Sequence, residues 1–144
     1  MIPAFQGNGN LPPGTHVATW TEFARRFGWN RHRQRLLTGL RAALNSLSRA
    51  GCPLVYLDGS LVTKKYRPND FDGCWESQNV DWTLLDPELR DFAFRRRAQK
   101  QRYGGELFPI DSKGTPPNTA MLIFFQTDRD GVAKGIVAID PGIS

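Results

Sequence analysis

Apolar residues recur at spacings of three and four along one stretch of the chain, which is the periodicity of an amphipathic helix. The apolar positions of this stretch are Leu36, Leu37, Leu40, Leu44 and Leu47. Asn30 before it suits an N-cap and Gly51 after it suits a helix end, so we predict a long helix between them. A shorter helix is predicted from Thr19 to Phe27, with Thr19 and Glu22 forming a capping box.

Short apolar runs bounded by turn residues predict the strands. They are "CPLVYLDGS", "DFDGCWE", "ELFPID", "TAMLIFFQT" and "KGIVAID". The last two are joined by "DRDG", and Asp-Gly between apolar runs is typical of a hairpin turn. A helical turn is predicted after Ser60 and a helix from Pro87 to Tyr103, where Gly104 ends it.

This order of elements predicts a single domain over residues 1–144 with an α/β (α+β) fold, in which helices flank a mixed β-sheet. Residues 1–18 are rich in Gly, Pro and Asn, and we expect an extended N-terminal arm that Ile2 and Phe5 hold against the core. The hydrophobic fraction of 40% is ordinary for a globular domain.

Composition narrows the class of protein. No apolar run is long enough to span a bilayer, and the first residues lack the basic and apolar regions of a signal peptide, so we expect a cytoplasmic protein that does not contact membrane. Cys52 and Cys74 form no CxxC pair, which makes a zinc site improbable, and we assign no disulfide. The net charge of +5 favours a polyanionic partner.

Basic residues concentrate on the two longer predicted helices. They are Arg31, Arg33, Arg35, Arg41 and Arg49 on the first, and Arg95, Arg96, Arg97, Lys100 and Arg102 on the second. We expect both sets to be solvated. Two alternatives remain open: Lys100 and Arg102 contact nucleotide or RNA phosphates, or the protein binds nucleic acid through both helices. The tryptophans are expected to pack in the core or at its rim, rather than to stack on bases.

The candidate chemistry lies between two predicted strands. Asp70 and Asp72 are one residue apart in a strand, so their carboxylates project from the same face. They raise each other's pKa unless a cation lies between them, and oxygen ligands of this kind suit Mg²⁺ or Mn²⁺. Gly59 and Ser60 end the preceding strand, where backbone amides can approach a phosphate. Candidates for further phosphate contacts are Lys64, Lys65 and Arg67.

The stretch "GSLVTKKYRPNDFD" resembles the signature of the nucleotidyltransferase superfamily, in which Gly-Ser, a spacer and Asp-hydrophobic-Asp follow a hydrophobic strand. The resemblance covers about residues 54–111. It implies that Gly59 and Ser60 hold the triphosphate of a nucleotide and that Asp70 and Asp72 are metal ligands. A third catalytic and metal-binding carboxylate is expected on the later strand "GELFPID", where Glu106 is the first choice and Asp111 the alternative.

A second resemblance, to a family of small uncharacterised bacterial proteins with a nucleotidyltransferase-like core, is carried by "LPPGTH", "VYLDGS" and "RYGGE" and covers nearly the whole chain. Together the resemblances imply Mg²⁺- or Mn²⁺-dependent transfer of a nucleoside monophosphate from a nucleoside triphosphate, such as ATP, to a hydroxyl of a protein or of RNA, for example a tRNA end. A toxin–antitoxin or defence setting is an analogy at the level of the fold. The alternative is a catalytically weak or inactive binding or antitoxin module, because the chain leaves no room for the helical domain that many active relatives carry.

Overall fold

The computed structural model describes residues 1–110 and 133–143. Along these residues the elements are β1 (Gly14–Ala18), α1 (Trp20–Phe27), α2 (Arg31–Arg49), β2 (Val55–Asp58), β3 (Phe71–Glu76), α3 (Pro87–Arg90), α4 (Ala93–Tyr103), β4 (Gly105–Ile110) and β5 (Gly135–Ile139). Short 3-10 turns cover Ser60–Val62 and Trp82–Leu84. The predicted strand "TAMLIFFQT", its "DRDG" turn and Asp111 lie outside the described residues.

The described strands form one mixed sheet in the order β1-β5-β2-β3-β4. β1 runs parallel to β5, and β3 runs parallel to β4, whereas β2 is antiparallel to both of its neighbours. The predicted mixed sheet with flanking helices is therefore confirmed. No helix among the described residues is long and apolar enough to cross a bilayer.

The two faces of the sheet differ in character. On one face, side chains such as Leu57, Leu107 and Val137 pack with α1 and α2 in the main hydrophobic core. On the other face a smaller cluster contains Cys74, Ile110 and Ile136, with Tyr56 and Phe108 packed against it. Because side chains alternate along a strand, polar residues next to this smaller cluster point away from α1 and α2.

The helix ends follow the predicted caps with one difference. Asn30 accepts a hydrogen bond from the Arg33 amide at 2.8 Å, and Gly51 has the left-handed φ of 90° beyond the end of α2. Thr19 accepts from the Glu22 amide at 3.1 Å as predicted. The Glu22 carboxylate instead accepts from the amide of Ile2 at 2.7 Å, so it ties the N-terminal arm to α1. Only half of the capping box therefore forms.

Two predicted elements differ from the structure. The arm of residues 1–18 contains β1, which pairs with a strand more than a hundred residues away. The single helix expected from Pro87 to Tyr103 is interrupted at Asp91 and Phe92. After the break, Phe94, Arg95 and Arg96 have φ of 51°, 56° and 60°, the left-handed region, which costs L-residues about 1–2 kcal/mol each.

The close approach of α2 to the end of α4 gives a test of the packing. A Cβ on Gly39 would overlap the carbonyl oxygen of Tyr103, the last residue of α4. Gly39→Ala is expected to lower the free energy of unfolding by about 1–3 kcal/mol, since the two helices must separate. Urea unfolding measures this, with Gly7→Ala as the control because nothing lies within 4 Å of its Cβ position. Equal stability of the two variants would contradict this packing.

Candidate functional site

A row of carboxylates crosses three adjacent strands on the face opposite α1 and α2. Asp58 of β2 pairs in register with Asp72 of β3, and Asp72 pairs with Glu106 of β4. Residues paired in this way project from the same face of a sheet. Asp70 lies just before β3, two residues from Asp72. The structure therefore brings the predicted Asp70, Asp72 and Glu106 to one region and adds Asp58 to them.

Asp72 is the most perturbed member of the row. Burial raises its pKa to about 7, with further contributions from the negative charges of Asp70, Glu106 and Asp58, while Lys100 opposes them. Near neutral pH the Asp72 carboxyl is therefore protonated in about half of the molecules, whereas an ordinary aspartate is fully ionised there. The crowding expected from the sequence occurs at this residue.

The pKa of Asp70 is also raised, first by burial and then by the charge of Glu106. Lys100 and Lys65 act in the opposite direction. The charge of Asp70 raises the pKa of Asp72, and the charge of Glu106 raises the pKa of both aspartates. The third carboxylate is thus coupled to both predicted metal ligands, although no distance between these groups defines a shared ligand site.

The glycine-serine elbow faces the central aspartate. Gly59 has φ of 77°, a conformation that favours glycine, and a Cβ at this position would lie 2.9 Å from Oδ2 of Asp72. A side chain at Gly59 would therefore strain the backbone and crowd the carboxylate. Ser60 opens a 3-10 helix of only three residues, so the helix dipole expected there contributes little and any phosphate contact would come from amides and the Ser60 hydroxyl.

A buried arginine holds the loop that follows the elbow. The guanidinium of Arg33 donates to the carbonyls of Leu61 at 2.7 Å, Thr63 at 2.7 Å and Lys65 at 2.6 Å. It also stacks over Trp29 with 3.6 Å between its central carbon and the ring centroid. Burial lowers its pKa to about 10, which leaves it charged at neutral pH. The prediction that Arg33 lies on a solvated face is wrong, because its side chain is fully buried.

Cations occupy the two ends of the carboxylate row. Glu106 Oε2 lies 2.7 Å from Arg96 Nε and 3.6 Å from Lys100 Nζ. At the other end, Asp58 Oδ1 lies 2.9 Å from Nζ of Lys134, the residue before β5. Within the described ranges Asp72, in the middle, forms no ion pair. Asp70 forms none there either, but two lysines lower its pKa and only Lys100 lowers that of Asp72, so the charge of Asp72 is the least compensated.

The three basic candidates for phosphate contacts are all exposed, but the structure shows only one of them near the carboxylates. They are Lys64, Lys65 and Arg67. The charge of Lys65 lowers the pKa of Asp70, so Lys65 lies near the carboxylates. The amide of Lys64 binds the carbonyl of Gly9 on the N-terminal arm at 2.9 Å. Arg67 shows no such link in the part of the chain that the structure describes.

The donor set suits a hard cation, but the present arrangement does not form a complete metal site. Carboxylate oxygens are the ligands that Mg²⁺ and Mn²⁺ prefer. Nevertheless, within residues 1–110 and 133–143 no three His, Cys, Asp or Glu side chains are arranged to hold an ion. Asp70 and Asp72 fit as ligands by chemistry and by their raised pKa values. Glu106 would first have to leave Arg96.

A groove elsewhere in the molecule does not coincide with these carboxylates. It has a volume of about 550 Å³ and lies between α1 and α2, with Trp20, Leu37 and Arg41 among its lining residues. None of the predicted site residues lines it. The site is thus a feature of the opposite sheet face, not of this groove.

Comparison with known proteins places the chain by family alone. No curated protein and no solved structure matches it. One family model, described as a family of unknown function, DUF6932, matches residues 3–140, which is nearly the whole chain. The matched range includes the elbow and the complete carboxylate row. The chain therefore belongs to the family of unknown function DUF6932.

Proposed function

We propose that this protein is a nucleotidyltransferase that moves a nucleoside monophosphate from a nucleoside triphosphate to a hydroxyl group. The observation that carries the proposal is the position of Asp72, crowded by other acids and facing the Gly59–Ser60 elbow. A polyphosphate on the elbow would place its negative oxygens beside these acids, which requires a cation between them. The superfamily resemblance of this same stretch supports the proposal.

Each residue has a definite role in the proposed reaction. Amides at the elbow and the Ser60 hydroxyl bind the β- and γ-phosphates, with Lys65 adding positive charge. Asp70 and Asp72 hold Mg²⁺ or Mn²⁺, which supplies charge neutralisation and polarisation of the phosphoryl group when bound. The acceptor oxygen forms a bond to the α-phosphorus, the bond to the pyrophosphate oxygen breaks, and Glu106 takes the acceptor's proton.

The Arg96–Glu106 contact favours a second candidate function, a nucleotidyltransferase-like module that binds a partner without catalysis. The Oε2 atom of Glu106 accepts a hydrogen bond from Arg96 and also lies 3.6 Å from Lys100 Nζ, so it is already occupied by two cations. In the catalytic proposal this contact must open when substrate binds. In the binding module it stays closed.

The double substitution Asp70→Asn with Asp72→Asn tests the catalytic proposal. It is expected to reduce transfer of radiolabelled AMP from ATP to background in the presence of Mg²⁺, because the carboxylates that hold the cation are gone. The fold should survive, since replacing crowded acids by neutral amides removes repulsion. Asp91→Asn is the matched control, because Asp91 is exposed and its side-chain oxygen accepts from the Ala93 amide in a way that asparagine can retain.

Calorimetry separates the two candidate functions. Binding of ATP or GTP that requires Mg²⁺ and disappears in the double variant supports the enzyme. Transfer activity that persists in a pure preparation of the double variant would rule out these carboxylates as its origin. The absence of heat with all four ribonucleoside triphosphates would favour the binding module instead.

A further inference from the structure

Four large apolar side chains are exposed on the segment that leads from β3 into α4. They are Trp82, Leu84, Phe92 and Phe94, which we call the aromatic surface. The exposed fractions of Trp82 and Phe92 are 37% and 39%, and that of Phe94 is 85%. Side chains of this size are seldom left in water together on a protein without a partner for them.

The rings of this surface are anchored to the core. Trp82 contacts the fully buried Trp75 with 5.2 Å between ring centroids, and Phe92 meets Trp82 edge-on at 6.5 Å. Phe94 follows two residues later, on the backbone that adopts left-handed φ. Trp82 and Phe92 are thus held in a fixed position while Phe94 is presented to solvent.

Positive charge accompanies the rings. α4 contains five basic residues and no acidic one. Arg96 and Lys100 contact Glu106, and Arg102 contacts Glu88 and Asp86. Arg95 and Arg97 are exposed and form no ion pair within the described residues. Arg90, at the end of α3 and two residues before Phe92 in the chain, is a third exposed arginine.

The acids of the same segment are already engaged by the protein. Asp81 accepts from the amide and hydroxyl of Thr83, and Asp91 accepts from the amide of Ala93. Asp86 and Glu88 pair with Arg102. Asp81 and Asp91 keep their charge, because they accept only from neutral groups, so the three exposed arginines leave this surface with a small net positive charge.

We infer that the aromatic surface with Arg90, Arg95 and Arg97 binds single-stranded nucleic acid, and that such a strand is the acceptor of the reaction. The second part of this inference rests on the proposed function. Exposed rings stack on bases without regard to sequence, and guanidinium groups bind phosphates in a bidentate manner. Arg96 lies between Arg95 and Arg97 in the chain and contacts Glu106, so a strand on this surface runs beside the carboxylate row.

An acidic peptide is the other ligand that could satisfy the arginines, and the rings argue against it. A peptide would bury apolar side chains in a groove, whereas here the most exposed ring, Phe94, stands out from the surface. Stacking on a nucleobase needs the aromatic face of Phe94, which contact with an acidic peptide does not, so removing that face distinguishes the two ligands. Phe94→Leu keeps an apolar side chain and removes that face.

The test is fluorescence anisotropy with a fluorescein-labelled 12-nucleotide oligouridine, in EDTA and at 50–200 mM NaCl. Wild-type protein is expected to bind it, and both Phe94→Leu and Phe94→Ala are expected to raise the Kd at least fivefold. Arg95→Gln with Arg97→Gln should weaken binding about tenfold and flatten the dependence of log Kd on log salt by about 1. Arg31→Gln with Arg35→Gln on α2 is the matched control, since both of these arginines are exposed.

The outcomes separate this inference from the proposed function. In EDTA, where no divalent cation is bound, the variant Asp70→Asn with Asp72→Asn should bind the oligonucleotide at least as tightly as wild type, because it removes negative charge beside the strand. No binding at 50 mM NaCl, equal weakening by the α2 control, or preference for a labelled glutamate-rich 12-residue peptide would overturn the inference. None of these results would affect Mg²⁺-dependent binding of ATP, which tests the catalytic proposal alone.

Discussion

Asp72→Asn is expected to stabilise the protein at pH 8 by about 2–4 kcal/mol and to have little effect at pH 4. The folded-state pKa of Asp72 is about 7, above the ordinary aspartate value of 3.8. Between these values the folded protein holds a proton that the unfolded chain releases. The free energy of unfolding of the wild type therefore falls as the pH rises from about 4 to 7, and the asparagine variant lacks this contribution.

Urea unfolding at pH 4.5, 6 and 8 measures the effect as a difference between the two proteins. The difference matters because Asp70 and Asp58 also have raised pKa values and contribute a slope of the same sign to both. Asp91→Asn serves again as the exposed control and should leave the slope unchanged. A stability difference that does not grow with pH would show that Asp72 is not crowded as described.

Addition of Mg²⁺ extends this experiment to the proposed site. A cation bound by the ionised carboxylates of the folded state stabilises it by RT ln(1 + [Mg²⁺]/Kd), so Mg²⁺ should raise the wild-type free energy of unfolding at pH 8. It should have little effect at pH 4.5, where Asp72 is protonated, and little effect on the asparagine variant at either pH. Equal stabilisation of both proteins would assign the effect to other sites.

Arg33→Met is expected to lower the free energy of unfolding by about 3–5 kcal/mol, because several buried carbonyls each lose a hydrogen bond from a charged donor, worth about 1.5–3 kcal/mol. The substitution leaves the carbonyls of Leu61, Thr63 and Lys65 without their donor. These residues form the loop after the elbow, so the site should loosen together with the core.

Chemical unfolding of Arg33→Met and Arg35→Met makes the comparison, because Arg35 lies on the same helix and is exposed. Arg35→Met should change stability by less than about 0.5 kcal/mol. Arg33→Lys keeps a charge and three donors, so it should fall between the two and gives a measurable protein if Arg33→Met does not fold. A loss below about 1 kcal/mol for both Arg33 variants would contradict the role assigned to this side chain.

The elements that the sequence predicted well are those whose stabilisation is local. The leucine stripe of α2, its Asn30 cap and the Gly51 end depend on spacing within one helix, and all are confirmed. β1 was missed because "GTHVA" is short and partly exposed, and only its pairing with the distant β5 makes it a strand. The break at Asp91–Phe92 interrupts a stretch whose composition favours a continuous helix.

The features of the candidate site also divide into local ones, which the sequence predicted, and ones that depend on distant parts of the chain, which it did not. The alternation of Asp70 and Asp72 is a local property, and so is the Gly59–Ser60 turn. The position of Asp58 opposite Asp72, and of Lys134 against Asp58, depends on strand register across β2, β3 and β5, which residue spacing does not encode. Arg33 is a different case, because it stands three and four residues before Leu36 and Leu37 and so continues the apolar stripe. Arg31 and Arg35 lie on the opposite side of the helix, and the error came from grouping Arg33 with them by its charge.

The order of strands also has a consequence for synthesis on the ribosome. Among the described strands, β5 lies between β1 and β2, so β1 gains its partner there only when residues 135–139 are available. Contacts that join such distant parts of a chain form slowly, because the intervening polypeptide must lose its freedom first. Until β5 joins the sheet, the edge of β2 that it covers stays open, and chaperone capture of the nascent chain is expected to fall once β5 has paired.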